Sequence, residues 1–172
     1  MGRTSTKMNK TIYQLAREKC GMTREEASDA LVCISKERIE RIESRKNPAL
    51  PEDVLRMSEV YKDATLCNRH CATECQIGMK YIAPITLKEL SQIVLEILAS
   101  LKDAEQQRDR LIDITVDGKI AKDELRDFVH IEAQLDKISL TVDALKLWVQ
   151  TMLMSDKIDA EEYKKVTREQ RK

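Results

Sequence analysis

The sequence predicts an all-α protein: a small five-helix N-terminal domain followed by a long antiparallel helical hairpin. Three observations predict it. Glycine and proline are scarce, with 4 and 3 copies in 172 residues, while aromatic residues make up 3% and charged residues 35%. That composition favours helix over sheet. Helix-start patterns recur along the first half, with turn residues between them. The second half carries apolar residues three and four apart over two long stretches, broken once at Asp117-Gly118.

The elements follow in order. Residues 1–10 are polar and basic and read as a flexible arm. Over Thr11 to Cys20, Ile12, Leu15, Ala16 and Lys19 fall at helical spacing, and Gly21 can end that helix. Thr23-Arg24-Glu25-Glu26 is a capping-box pattern opening a second helix with Ala27, Ala30 and Leu31 inward. Ser35 reads as the N-cap of a third helix, with Ile39 and Ile42 on one face. Pro51 suits the first position of a fourth, running to Tyr61, with Val54, Leu55, Met57 and Val60 apolar. Residues 64–75 make a further short helix, closing a domain over 11–75. Residues 76–85, with Gly78 and Pro84, read as a connector.

Residues 86–172 differ in kind. A second capping-box pattern, Thr86 to Glu89, precedes Leu87, Leu90, Val94, Ile97, Leu101, Ala104 and Leu111. This is a heptad-like seam of about 29 residues, roughly 43 Å of helix. A second long helix is expected over 121–154, with Leu125, Phe128, Leu135, Ile138, Val142, Leu145, Val149 and Met152. The short break folds the two back on each other. Two such helices cover only one side of each other. The remaining apolar side, including Trp148, is expected to meet a second copy of the chain or to pack on the chain's own N-terminal domain.

Several classes are excluded or narrowed. No run of about 18 apolar residues exists, so no membrane partner is expected. The N-terminus has no apolar core for secretion, which points to the cytoplasm. The net charge is zero, yet residues 1–62 hold 13 basic against 10 acidic residues, an excess of three that permits nucleic-acid contact. No phosphate-binding glycine loop is present, and neither histidine sits in a nucleophile–base pattern, so the chain is read as non-enzymatic.

Within 11–62 the matching stretches are Leu15-Ala16-Arg17-Glu18-Lys19, Met22-Thr23-Arg24-Glu25-Glu26-Ala27 and Ile34-Ser35-Lys36-Glu37-Arg38-Ile39-Glu40-Arg41-Ile42-Glu43. Lys46, Pro48 and the Val54-Leu55-Arg56-Met57 helix follow. Over these the chain resembles the XRE (Cro/repressor-type) helix-turn-helix family of transcriptional regulators. The resemblance covers about a third of the chain, and the third-helix stretch is its most specific part. It implies a sequence-specific regulator of double-stranded DNA whose third helix enters the major groove. Carried over by position, Ser35, Lys36, Glu37, Arg38 and Arg41 lie at or near base edges. Arg24 sits at the start of the second helix, where it would clamp phosphate, and Arg45 and Lys46 reach the backbone. Glu43 matches a position that stabilises the domain itself. The turn Leu31-Val32-Cys33-Ile34 holds no glycine where the family usually has one, and Glu37, Glu40 and Glu43 place three carboxylates on the reading helix. Those carboxylates leave a second class open, a protein-interaction adaptor built on the same fold.

Two further patterns stand apart. Cys67, His70, Cys71 and Cys75 fall within nine residues, and the chain has five cysteines in all. The readings are a zinc site, an iron–sulfur cluster, a thiol redox switch, or thiols packed as small apolar groups. A straight helix holds Cys67 and Cys75 about 12 Å apart, whereas thiolates sharing one zinc lie within about 4 Å. Asp113 to Glu124 lines up with a twelve-residue calcium loop, with oxygen donors at Asp113, Thr115, Asp117 and Glu124 and glycine at 118. A weaker echo spans Ser155 to Glu162. Both also read as capped helix-to-helix turns.

Overall fold

The computed structural model describes residues 9–170, so most of the expected N-terminal arm lies outside the described residues. The chain is 70% helix with no strand among the described residues. The helices are α1 Ile12–Lys19, α2 Arg24–Leu31, α3 Lys36–Glu43, α4 Pro51–Val60, α5 Thr65–Thr73, α6 Gly78–Tyr81, α7 Leu90–Thr115, α8 Leu125–Met154 and α9 Ala160–Gln170. Among the described residues, none is long and apolar enough to cross a membrane. The chain divides into two compact units, Met1–Ile85 with Val149–Lys172, and Thr86–Trp148.

Local chemistry sets the starts of the first four helices. The Thr11 hydroxyl accepts from Gln14 N–H, and Thr23 with Glu26 forms the full capping box. Ser35 accepts from Arg38 N–H, and Pro51 opens α4. Each such cap satisfies helix-end N–H groups that otherwise lack partners. Gly21 ends α1 at φ +77°. The core of this unit is Tyr13, Ala16, Ala27, Leu31, Ile34, Ile39, Ile42, Val54, Met57, Tyr61 and Leu66. Ala30, expected inward, is exposed, because α2 buries only the narrow stripe of Ala27 and Leu31.

The expected connector is not a free linker. It contains α6, and Gly78 packs so closely on α5 that a Cβ there would sit 2.1 Å from the Cys71 carbonyl oxygen. Beyond it, the Asn68 side chain donates to Ala83 C=O at 3.1 Å and accepts from Ile85 N–H at 2.9 Å.

The second unit is the helical hairpin. Arg110 Nε donates to Asp127 Oδ2 at 2.7 Å near the turn. At the turn, Asp117 accepts from Lys119 N–H and Glu124 from Ala121 N–H, while Gly118 takes φ +71°. The buried residues of α7 are Ile93, Ser100 and Ile114, and those of α8 in this unit include Ile131, Thr141 and Ala144. The expected phase is corrected here. Ile97, Ala104 and Leu111 border the buried seam, but Leu87, Leu90, Val94 and Leu101 face outward, as do Leu135 and Val142. The Thr86–Glu89 capping box does not form either, since α7 starts at Leu90 with no side-chain cap.

Candidate nucleic-acid interface

Helices α2 and α3 pack on each other through a turn at residues 32–35. Val32 carries this turn at φ 59°, ψ −44°, and Cys33 N–H donates to Leu31 C=O at 2.6 Å. An i to i+2 hydrogen bond around a positive φ is the rarer, strained hand of γ-turn. The turn without glycine thus places its backbone strain at a β-branched residue.

The inner face of α3 is committed to the fold. Ile39 and Ile42 sit in the core. The Glu43 carboxylate, 1% exposed, accepts from Arg17 Nε at 2.6 Å, Arg17 Nη2 at 3.0 Å and Arg24 Nε at 2.8 Å. Arg17 also donates to Met22 C=O. Glu43 is thus held inside the domain by two guanidinium groups. Arg24, expected on phosphate, is instead drawn to the buried carboxylate, with about a third of its side chain still accessible at 36%.

The remaining expected contacts divide by position along α3. At its N-terminal end the polar groups are engaged. Ser35 caps the helix. Lys36 bonds Glu25 at 3.1 Å with both side chains exposed, an interaction of small worth. The Glu37 carboxyl is held below the usual carboxylate range, chiefly by its own backbone N–H and by the Ser35 hydroxyl. Arg38 Nη2 donates to Asp53 Oδ2, whose carboxylate also accepts from Leu50 N–H ahead of α4. Arg38 thus ties α3 to α4, a role the sequence did not reveal because Asp53 lies fifteen residues away.

At the C-terminal end the cations are free. Arg41, Arg45 and Lys46 are exposed, and among the described residues none of them is held in an ion pair. Their backbone is fixed all the same. Lys46 N–H reaches Arg41 C=O at 2.8 Å and Arg45 N–H reaches Ile42 C=O at 3.1 Å, the paired bonds of a Schellman cap. Arg45 occupies the left-handed position of that cap, φ 58°, where glycine is the favoured residue.

Among the described residues no three of His, Cys, Asp and Glu are placed to hold an ion. Cys67 Sγ lies 3.4 Å from Ser58 Oγ, Cys75 Sγ accepts from Gly78 N–H, and Cys71 offers its backbone to Gly78. Burial pushes the Cys71 thiol up, the opposite of an activated thiolate. His70 turns inward, its Nδ1 lying 2.7 Å from the Tyr13 hydroxyl oxygen, within hydrogen-bond distance. The calcium-loop pattern is likewise spent on caps, with Asp113 and Thr115 inside α7. In its weaker echo, Asp159 accepts from Glu162 N–H.

No family model, no curated protein and no solved structure matches the chain.

Proposed function

We propose that this chain is a sequence-specific, double-stranded-DNA-binding regulator of the XRE helix-turn-helix type that acts as a homodimer. One observation carries the reading. The outer face of α3 ends in Arg41, Arg45 and Lys46, exposed and unpaired, while the inner face is locked by Ile39, Ile42 and the buried Glu43 cluster. A rigid helix presenting free cations suits phosphate and guanine contacts. The dimer draws support from the outward apolar stripe of the hairpin, where Leu98 is 59% and Leu101 51% exposed.

The experiment is selection of bound duplexes from a random-sequence library at near-physiological salt. The expected result is a two-fold-symmetric motif whose half-site spacing reports the dimer geometry. Arg41→Ala is expected to weaken binding and to lower the slope of log affinity against log salt by about one. Binding without enrichment, abolished by salt, would overturn the reading in favour of a protein-interaction adaptor. That second reading is favoured by Glu37 and Glu40, exposed on the same helix, and by Val32, 85% exposed at the turn.

A further inference from the structure

A cavity of about 300 Å³ opens beside the C-terminal end of α3. Its inner wall is made by Tyr13 and Ile42 from the core, with Pro48 and Ala49 from the loop before α4. His70 lines it as well, neutralised as a hydrogen-bonding group on one side by the Tyr13 hydroxyl. Thr11 and Asn47 complete the lining, so one wall is apolar and the rest polar, in similar measure.

Two exposed charges of opposite sign also line this cavity, Arg45 and Glu74. They come from separate elements, the Schellman cap of α3 and the C-cap of α5. Among the described residues neither is held in an ion pair, with the other or with a third group. Arg45 is placed here at a conformational cost, since its φ of 58° is one that glycine adopts more readily. A cavity with an apolar wall and a few polar groups is the usual form of a small-molecule site, and about 300 Å³ is the lower end of the range for such sites. That size suits one residue-sized molecule.

We infer that this cavity binds a free α-amino acid with an apolar side chain, its carboxylate on Arg45, its ammonium on Glu74 and its side chain against Tyr13, Ile42 and Pro48. Both charged contacts are of the charge-assisted kind, stronger than neutral hydrogen bonds. The site also bears on DNA binding, a consequence that rests on the function proposed above. A carboxylate that holds Arg45 in the cavity removes it from the phosphate backbone. Bound amino acid therefore lowers DNA affinity, by about fivefold or more, and DNA lowers amino-acid affinity by the same factor.

The test uses the full-length protein. Calorimetric titration with L-leucine and L-phenylalanine is expected to give saturable binding, accompanied by a rise in Tm. N-acetyl-L-leucine, which lacks the ammonium, and L-leucinamide, which lacks the carboxylate, are expected to bind at least tenfold more weakly, about the loss of one charged contact. Arg45→Gln and Glu74→Gln are expected to abolish binding while leaving the helical circular dichroism unchanged, since both side chains are exposed. No binding by either amino acid overturns the inference, and so does binding that survives both variants or is matched by the N-acetyl compound. In the DNA arm, an affinity unmoved by saturating L-leucine overturns the coupling. Failure to bind any duplex sinks the DNA reading alone, because the calorimetric result is read without DNA.

Discussion

Glu43 gathers two guanidinium groups around a carboxylate that is almost wholly removed from water. Such a cluster is held together only while every charge keeps its partner. Glu43→Gln keeps the shape and removes the charge, leaving Arg17 buried beside a neutral amide. A loss of about 3 kcal/mol or more is expected, read from urea unfolding. The same change at exposed Glu37 is expected to move stability by less than about 0.5 kcal/mol. His70 makes a second prediction at this scale. Burial lowers its pKa below the ordinary 6.5, with Glu74 opposing, and its Nδ1 lies 2.7 Å from the Tyr13 hydroxyl. The unfolded state therefore takes up a proton that the folded state resists. Stability from this group is full above pH 6.5 and falls as pH drops from there toward the folded pKa. Tm measured from pH 8 to pH 5 is expected to show that fall in the native protein and much less of it in His70→Gln. Parallel pH profiles would show that another group is responsible.

Among the elements, the turn between α2 and α3 stores the clearest strain. Val32 is β-branched, sits at φ 59° and contributes almost nothing to the core, being 85% exposed. Val32→Gly relieves the backbone at little packing cost, and a gain of about 1 kcal/mol is expected, net of glycine's extra unfolded-state entropy. A decrease in Tm would mean the side chain holds a contact that the fold needs. The same contrast explains what was legible in the sequence. Helix starts at Thr11, Thr23, Ser35 and Pro51 were readable because capping depends on residues only two or three apart. So were the buried faces of α2 and α3, anchored by Ala27, Ile39 and Ile42. The candidate interface was legible as a helix, but not in which of its cations are free. Arg24 and Arg38 look the same in sequence as Arg41, and only long-range contacts to Glu43 and Asp53 separate them. The seam of α7 was hidden for a different reason. Its buried positions include Ser100, whose hydroxyl has no partner, while the outward positions are Leu87, Leu90, Val94 and Leu101. Hydrophobicity alone chooses the wrong stripe when the inner one carries a polar residue and the outer one does not.

For the whole molecule, that outer stripe is the strongest reason to expect a second copy. Leu90, Val94, Leu98 and Leu101 recur three and four residues apart on one side of α7, the spacing that packs one helix against another. Four exposed aliphatic side chains in one row differ from the scattered apolar residues of an ordinary surface. A closed two-fold dimer is the simplest arrangement that covers the stripe on both copies at once. Light scattering at micromolar concentration is then expected to give twice the mass of one chain. Leu98→Glu with Leu101→Glu places two charges in the middle of the row, where central apolar anchors are each worth about 2 kcal/mol or more. Because both residues already face water in the single chain, the variant is expected to keep its helix content and run as a monomer. If it binds a single half-site as the native protein does, but loses the two-fold motif, the hairpin sets the spacing and α3 does the reading. A native protein that scatters as a monomer would remove the dimer, and with it the expectation of a symmetric operator, while leaving the cations of α3 to be tested by salt dependence alone.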